Sequence, residues 1–205
     1  MASRQGVWRL YAQGLRFDGA PGYDAVGGRI KPLVQSAPMT MVNDSLISLR
    51  AAVALLTGQM PRLEGKQLAL EPSVMTQKLQ RLLPDHSVNV GSQLDPTAAL
   101  QLIQRGGVGV VAMRTPGRAP HWGVVVGCEG RWSGEVLPLT SARAILALDW
   151  TVPLVWGSGH NVRLERGLNV EGWTATTMEG GRWRVHVGPA VCVRGAEPSP
   201  VAMRW

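Results

Sequence analysis

Three stretches of the chain carry side chains that suit hydrolytic chemistry on an amide or ester. Gln35 stands six residues before Met41, close to the start of a helical pattern. His121 opens one strand-like segment and Asp149 closes another. A side-chain amide can donate to an oxyanion, an imidazole can transfer a proton, and a carboxylate can orient the imidazole. Each residue alone also fits an ordinary loop, strand-end or turn role, so the prediction depends on their order and spacing together.

Three helices are predicted in the first half of the chain. The stretch 43–57, NDSLISLRAAVALLT, has Asn43 or Asp44 as its cap and Gly58 as its end. It is apolar on nearly every face, which is typical of a helix buried inside a domain. A second helix near 72–83 lies between two prolines, and a third follows Asp95 as its cap and ends at Gly106.

The hydrophobic period then changes from helical to alternating, which predicts strands. The strands are expected at 109–113, 122–128, 131–139 and 142–150, with a hairpin turn at Glu129-Gly130, and further strand-like pieces follow from 151 to 205. The tripeptide at 179–181 predicts another hairpin. Helices followed by an antiparallel meander indicate an α+β fold rather than a parallel sheet.

Composition limits the function classes. The chain has 205 residues, 45% hydrophobic and 17% charged, which suits one domain with a full core. The net charge is +7, but the arginines are scattered singly and Tyr and Phe total three, so we expect no nucleic-acid partner. The cysteines and histidines lack the spacing of metal ligands, so no metal and no cofactor is predicted.

The location of the protein is predicted from what its sequence lacks. No apolar run reaches the length of a membrane span, so no span is expected. The first residues lack the apolar stretch of a secretory signal. The protein is therefore expected in the cytoplasm, or exported without a classical signal peptide.

The stretch PLVQSAPMTMV, residues 32–42, resembles a motif of the papain-like cysteine peptidase superfamily. It is similar to the "PLVxQxxxMTCW" of small bacterial effector proteases, whose relatives include the bacteriocin-processing peptidases. The family's oxyanion-hole glutamine falls on Gln35 and its nucleophilic cysteine on Met41. The Trp that commonly follows the cysteine falls on Val42.

A second unit, LQLIQRGGVGVVAMRTPGRAPHWGVVVGCEG, resembles the part of the family that carries the catalytic histidine, which falls on His121. The third member of the triad falls on Asp149, in ILALDW. The resemblance implies a papain-like α+β fold, with N-terminal helices packed on an antiparallel sheet or meander and extra C-terminal strands. It divides the chain into a lead-in at 1–30, a papain-like core at 31–152, and a C-terminal β extension of the same domain at 153–205.

The substitution at the nucleophile position decides the predicted activity. Cysteine catalysis needs a thiolate, and the thioether of Met41 has no proton to lose. An alternative register resembles the "DCGxxxL" helix start of the bacteriocin-processing group, with Ser45 at the nucleophile position. That register abandons Gln35, which lies ten residues earlier.

The resemblance therefore implies a degenerate cysteine peptidase, or pseudoenzyme, that binds a peptide or protein partner in its cleft. A role as a bacterial effector or secretion-associated component would fit. The alternative is an active peptidase, amidase or acyltransferase that uses Ser45 with His121 and Asp149. A structural or adaptor role in a secretion or toxin system stays open as a third interpretation.

Overall fold

The computed structural model describes residues 5–12, 14–17, 44–62, 71–91, 94–133, 142–153, 159–167 and 172–195. The helices are α1 (Asp44–Thr57), α2 (Pro72–Leu82) and α3 (Pro96–Gln104). The strands, in chain order, are β1 (Gln5–Tyr11), β2 (Gly14–Phe17), β3 (Ser87–Gly91), β4 (Val108–Arg114), β5 (His121–Ser133), β6 (Ala144–Asp149), β7 (Val162–Arg166), β8 (Trp173–Thr177) and β9 (Arg182–Arg194).

Six of these strands form a closed antiparallel barrel. The strand order is β5-β4-β9-β8-β7-β6, and β6 pairs with β5 to complete the circle. β1 extends the edge of β5, and β2 pairs with β1. β3 pairs with β9.

The predicted α+β papain-like fold, with N-terminal helices packed on a sheet, is wrong. The described part of the chain is mostly antiparallel sheet, with a closed barrel and three short helices. Two 13-residue strands, β5 and β9, make this possible because each pairs with three other strands. Hydrophobic alternation along the sequence predicts strands, but it does not indicate whether the sheet closes into a barrel.

The predicted hairpin at Glu129-Gly130 is also wrong, because β5 runs straight through both residues. Glu129 is buried and its carboxylate accepts from Arg9 at 2.8 Å and from Arg163 at 2.6 Å. Gly130 lies directly against the indole of Trp8, where a Cβ atom would collide with the ring. Glycine therefore fits this position because the two strands approach each other closely, and not because the chain turns here.

The predicted helices and the second hairpin are confirmed. Asp95 caps α3 by accepting from the amide of Ala98 at 2.7 Å. α1 ends at Gly58, whose φ of 74° is the left-handed conformation that glycine adopts at such ends. The β8–β9 hairpin turns at residues 178–181, with Gly180 at a φ of 87°.

The core has two layers, one on each face of the barrel wall. The outer layer packs α1 and α2 against β4, β5, β6 and β9. The inner layer fills the barrel, and Leu100 and Ile103 of α3 belong to it. The sulfur of Cys128 approaches the Pro96 carbonyl at 4.0 Å, so α3 covers the barrel end near that part of β5. His121 and Asp149 lie at the opposite end, since β5 starts there and β6 finishes there.

No helix in the described part of the chain is both long and apolar enough to cross a membrane.

Candidate functional site

The structure brings His121 and Asp149 together. β5 and β6 pair antiparallel with Gly123 opposite Asp149, so the first residue of one strand meets the last residue of the other. His121 Nε2 lies 3.1 Å from Asp149 Oδ2, and the two residues are 3% and 1% exposed. Such burial excludes most water from the contact, which strengthens the attraction between opposite charges.

The electrostatics favour the charged form of both partners. Burial by itself lowers the pKa of His121, but the hydrogen bond and charge of Asp149, with the charge of Asp44 and the Ala119 carbonyl, raise it above 6.5 overall. Burial likewise raises the pKa of Asp149, and His121 and Thr151 outweigh it, so that pKa is lowered below 3.8. Both shifts in pKa favour an imidazolium beside a carboxylate, an arrangement in which Nε2–H donates to Oδ2.

Asp149 is fixed by neighbours on every side. Its Oδ1 accepts from the amide of Thr151 at 2.8 Å and from the hydroxyl of Thr151 at 2.6 Å. Its backbone is held by the buried side chain of Asn161, which accepts from the Asp149 amide at 2.8 Å and donates to the Asp149 carbonyl at 2.7 Å. Asn161 also donates to the Val152 carbonyl at 2.9 Å. Oδ2 is thus held in one direction, toward His121.

The start of α1 is tied to the strands that carry the pair. Asp44 Oδ2 accepts from the backbone amide of Trp122 at 2.6 Å, and Oδ1 accepts from the amide of Ser45 at 2.7 Å. One helical turn further on, the Ser48 hydroxyl accepts from the indole nitrogen of Trp150 at 2.7 Å. Trp122 and Trp150 directly follow His121 and Asp149 in the chain, so α1 is docked immediately beside the pair.

Asp44 adds a second buried carboxylate to this region. Burial raises its pKa above 3.8, although hydrogen bonds from Trp122 and Ser45 and the charge of His121 lower it in part. The charge of Asp149 raises it further. Asp44 and Asp149 therefore compete for one imidazolium, and the local charge is negative when both carboxylates are ionised.

The second imidazole nitrogen of His121 is the reactive position of this arrangement. Nδ1 is buried, and among the described residues it makes no well-formed hydrogen bond. A histidine whose other nitrogen is fixed by a carboxylate can exchange a proton through the remaining one. The geometry is that of a general acid or of a hydrogen-bond donor to a ligand.

The structure describes some of the predicted site residues and not others. The structure joins His121 to Asp149 and sets Ser45 at the second position of α1, where it is 1% exposed. Gln35 and Met41 lie outside the described residues, so their predicted roles stay predictions.

Sequence reasoning missed two members of the site. Asp44 was expected only as a helix cap, yet its other oxygen binds β5. Asn161 was not singled out, because a lone Asn eleven residues after Trp150 carries no motif. Its role depends on the β6–β7 register, which brings Asn161 back beside Asp149.

The described residues offer no group of three or more His, Cys, Asp or Glu side chains that could hold a metal ion. The two cysteines do not join the site. Cys128 faces the barrel interior and burial raises the pKa of its thiol far above the ordinary range. The pKa of the Cys192 thiol is also raised by burial.

Comparison with protein families, with curated proteins and with solved structures finds no match to this chain. The resemblance to the papain-like superfamily therefore stays a prediction that depends on the quoted motifs. The function has to be argued from the His121–Asp149 pair and its surroundings.

Proposed function

We propose that the protein binds a peptide, or an exposed peptide segment of a protein partner, beside the His121–Asp149 pair without hydrolysing it. The observation that carries the proposal is the buried pair itself, 3.1 Å apart, with Nδ1 of His121 making no well-formed hydrogen bond to the described residues. A charged imidazole donates readily to a peptide carbonyl, and a fixed ring loses little entropy when it does so.

We expect no hydrolysis, because Met41 stands where the papain-like motif has its cysteine. Met41 stands three residues before Asp44, and three residues span at most about 11 Å. Its thioether cannot attack an amide, and the loss of a nucleophile costs several orders of magnitude in rate. Cys128 is fully buried and Cys192 is half-buried, and burial raises the pKa of both thiols, which disfavours the thiolate in each.

Hydrolysis by Ser45 is the second candidate function. It is favoured by one contact, since Asp44, the residue before Ser45, reaches the amide next to His121. Burial does not separate the two candidates, because Ser45 is 1% exposed and His121 is 3% exposed. The two candidates differ in whether amide bonds are cut.

Selection from a random dodecapeptide display library tests the binding proposal. We expect peptides that bind the wild-type protein and bind His121→Gln about tenfold or more weakly, since a charge-assisted hydrogen bond is lost. His86→Gln is the matched control and should bind like the wild type. If His121→Gln does not fold, His121→Gln/Asp149→Asn removes both charges and takes its place. No enrichment, or equal affinity in every variant, would contradict the proposal.

The enriched peptides then serve as substrates for an amide-hydrolysis assay. We expect the wild-type protein and Ser45→Ala to leave them intact. Turnover by the wild type that disappears in Ser45→Ala would replace the binding proposal with the hydrolase. The expected cytoplasmic or exported location and the effector role stay predictions beside this proposal.

A further inference from the structure

A group of basic side chains lies on the outer face of the barrel. Along β9, Val185 and Val187 point into the barrel, so Arg182, Arg184 and His186 alternate to the outside, where all three are exposed. The β4–β9 register sets the exposed Arg114 directly opposite His186. We call Arg114, Arg182, Arg184 and His186 the basic face.

The basic face is only partly neutralised. Glu165 on β7 forms an ion pair with Arg163 and also attracts Arg182. Within the described part of the chain, no carboxylate lies within 4 Å of the guanidinium groups of Arg114 or Arg184. An anion that reaches Arg184 therefore meets no competing carboxylate at ion-pair distance from the residues that the structure describes.

A hollow of about 240 Å³ opens within this face. It is lined by Pro116, Gly167, Gly172, Trp173, Thr174, Arg184, Val185 and His186. Arg184 supplies several N–H donors in a planar fork, His186 supplies a ring nitrogen, and Thr174 supplies a hydroxyl. Pro116 supplies an apolar wall, whereas the side chain of Trp173 packs in the inner layer with Val185 and is 8% exposed.

The register explains why these groups converge. Thr174 pairs with Arg184 across β8 and β9, and Trp173 pairs with Val185. Pro116 lies in the connection from β4 to β5, which leads into His121. The hollow is smaller than the 300–1,000 Å³ that is ordinary for drug-sized ligands, which favours a small molecule.

We propose that this hollow binds the phosphate or carboxylate group of a small ligand, with Arg184 as the principal donor and Pro116 beside the apolar part. A planar guanidinium matches both oxyanions in a bidentate geometry. The proposal is separate from peptide binding at His121, and either can fail without the other.

Titration by NMR tests the proposal, with the backbone amide of Thr174 and the indole of Trp173 as reporters. The probes are inorganic phosphate, acetate, phenyl phosphate and a single-stranded oligonucleotide, all at constant ionic strength with chloride. We expect saturable shifts with phenyl phosphate, weaker binding of inorganic phosphate or acetate, and a dissociation constant about tenfold or more higher in Arg184→Gln. The comparison of phosphate with acetate identifies the oxyanion.

Arg182→Gln is the matched control, because Arg182 lies two residues away on the same face and does not line the hollow. We expect it to leave the affinity for phenyl phosphate nearly unchanged. Equal losses in Arg182→Gln and Arg184→Gln would mean general attraction to positive charge and would overturn the proposal. So would the absence of saturation, or binding of the oligonucleotide alone.

Discussion

Asp149→Asn is the most informative single change, because it removes the charge opposite His121 and keeps the shape of the side chain. In the wild type, Asp149 accepts three hydrogen bonds, two of them from Thr151 and one from His121. An Asn oxygen can keep the contacts with Thr151, so the hydrogen bond that is lost is the one from His121. Burial, the largest influence on that imidazole, then lowers the pKa of His121 below 6.5 instead of being outweighed.

The loss of stability can be estimated from the burial of both partners. Breaking a buried ion pair costs about 3–5 kcal/mol, and the imidazole can relieve part of that by losing its proton. We therefore expect a loss of about 3 kcal/mol in the free energy of unfolding. For a chain of this length that corresponds to a fall of about 6–12 °C in Tm.

The loss should depend on pH in a defined direction. Because the pKa of His121 is raised in the folded state, its contribution to the free energy of unfolding is complete below about pH 6.5. That contribution is lost as the pH rises through the pKa of the folded state. Because the pKa of Asp149 is lowered, its contribution is complete above 3.8 and is lost as the pH falls through its folded value. The difference in Tm between wild type and Asp149→Asn should be largest between about pH 4 and 6.5 and should shrink above that window.

Calorimetry from pH 4.5 to 9, with NMR titration of the His121 ring, measures both effects. Asp85→Asn is the control, since Asp85 is exposed, and its Tm should match the wild type. The raised pKa of Asp44 reflects first its own burial, which is common to wild type and variant, while the charges of His121 and Asp149, both altered in the variant, act on it in opposite directions. An unchanged His121 titration, or a Tm difference that is flat with pH, would refute the reasoning.

Three further changes probe the supports of the site. Asn161→Ala leaves the buried amide and carbonyl of Asp149 and the half-buried carbonyl of Val152 without their partner and should cost about 2–3 kcal/mol in urea unfolding, whereas the exposed Asn89→Ala should cost less than about 0.5 kcal/mol. Ser48→Ala leaves the buried Trp150 indole nitrogen without its acceptor and should cost about 1–3 kcal/mol in the same assay; no loss would mean that α1 is not held there. Gly123→Ala places a Cβ 2.7 Å from the Leu148 carbonyl and should lower Tm by several degrees, even when Met113→Ala is added, since that oxygen belongs to the backbone.

Local sequence patterns predicted the elements better than their assembly. Capping by Asp95, the end of α1 at Gly58 and the turn at 178–181 depend on neighbouring residues, so they were visible in the sequence. The closure of the barrel depends on the pairing of segments that are distant in the sequence, β4 with β9. The pair Glu129-Gly130 was wrongly predicted to be a turn because its role depends on contacts with Arg9, Arg163 and Trp8, which are distant in the sequence.

The candidate site was predicted in part for the same reason. His121 meets Asp149 because two consecutive strands pair antiparallel. The order of these residues in the sequence was enough to predict that contact. The contribution of Asn161 requires the chain to return from β6 to β7. The second role of Asp44 requires α1 to dock on β5, which no spacing in the sequence reveals.

The most direct test of the central claim is alkylation of Met41→Cys by iodoacetamide as a function of pH. The account predicts that the introduced thiol reacts with a midpoint well below the ordinary value of about 8.5, because the His121 imidazolium and the start of α1 stabilise a thiolate. Met39→Cys should react with the ordinary midpoint, and His121→Gln should restore it in Met41→Cys. The wild-type cysteines give little background, since burial raises the pKa of both thiols. An ordinary midpoint for Met41→Cys, or one unaffected by His121→Gln, would contradict the claim that position 41 belongs to a hydrolase-like site without its nucleophile.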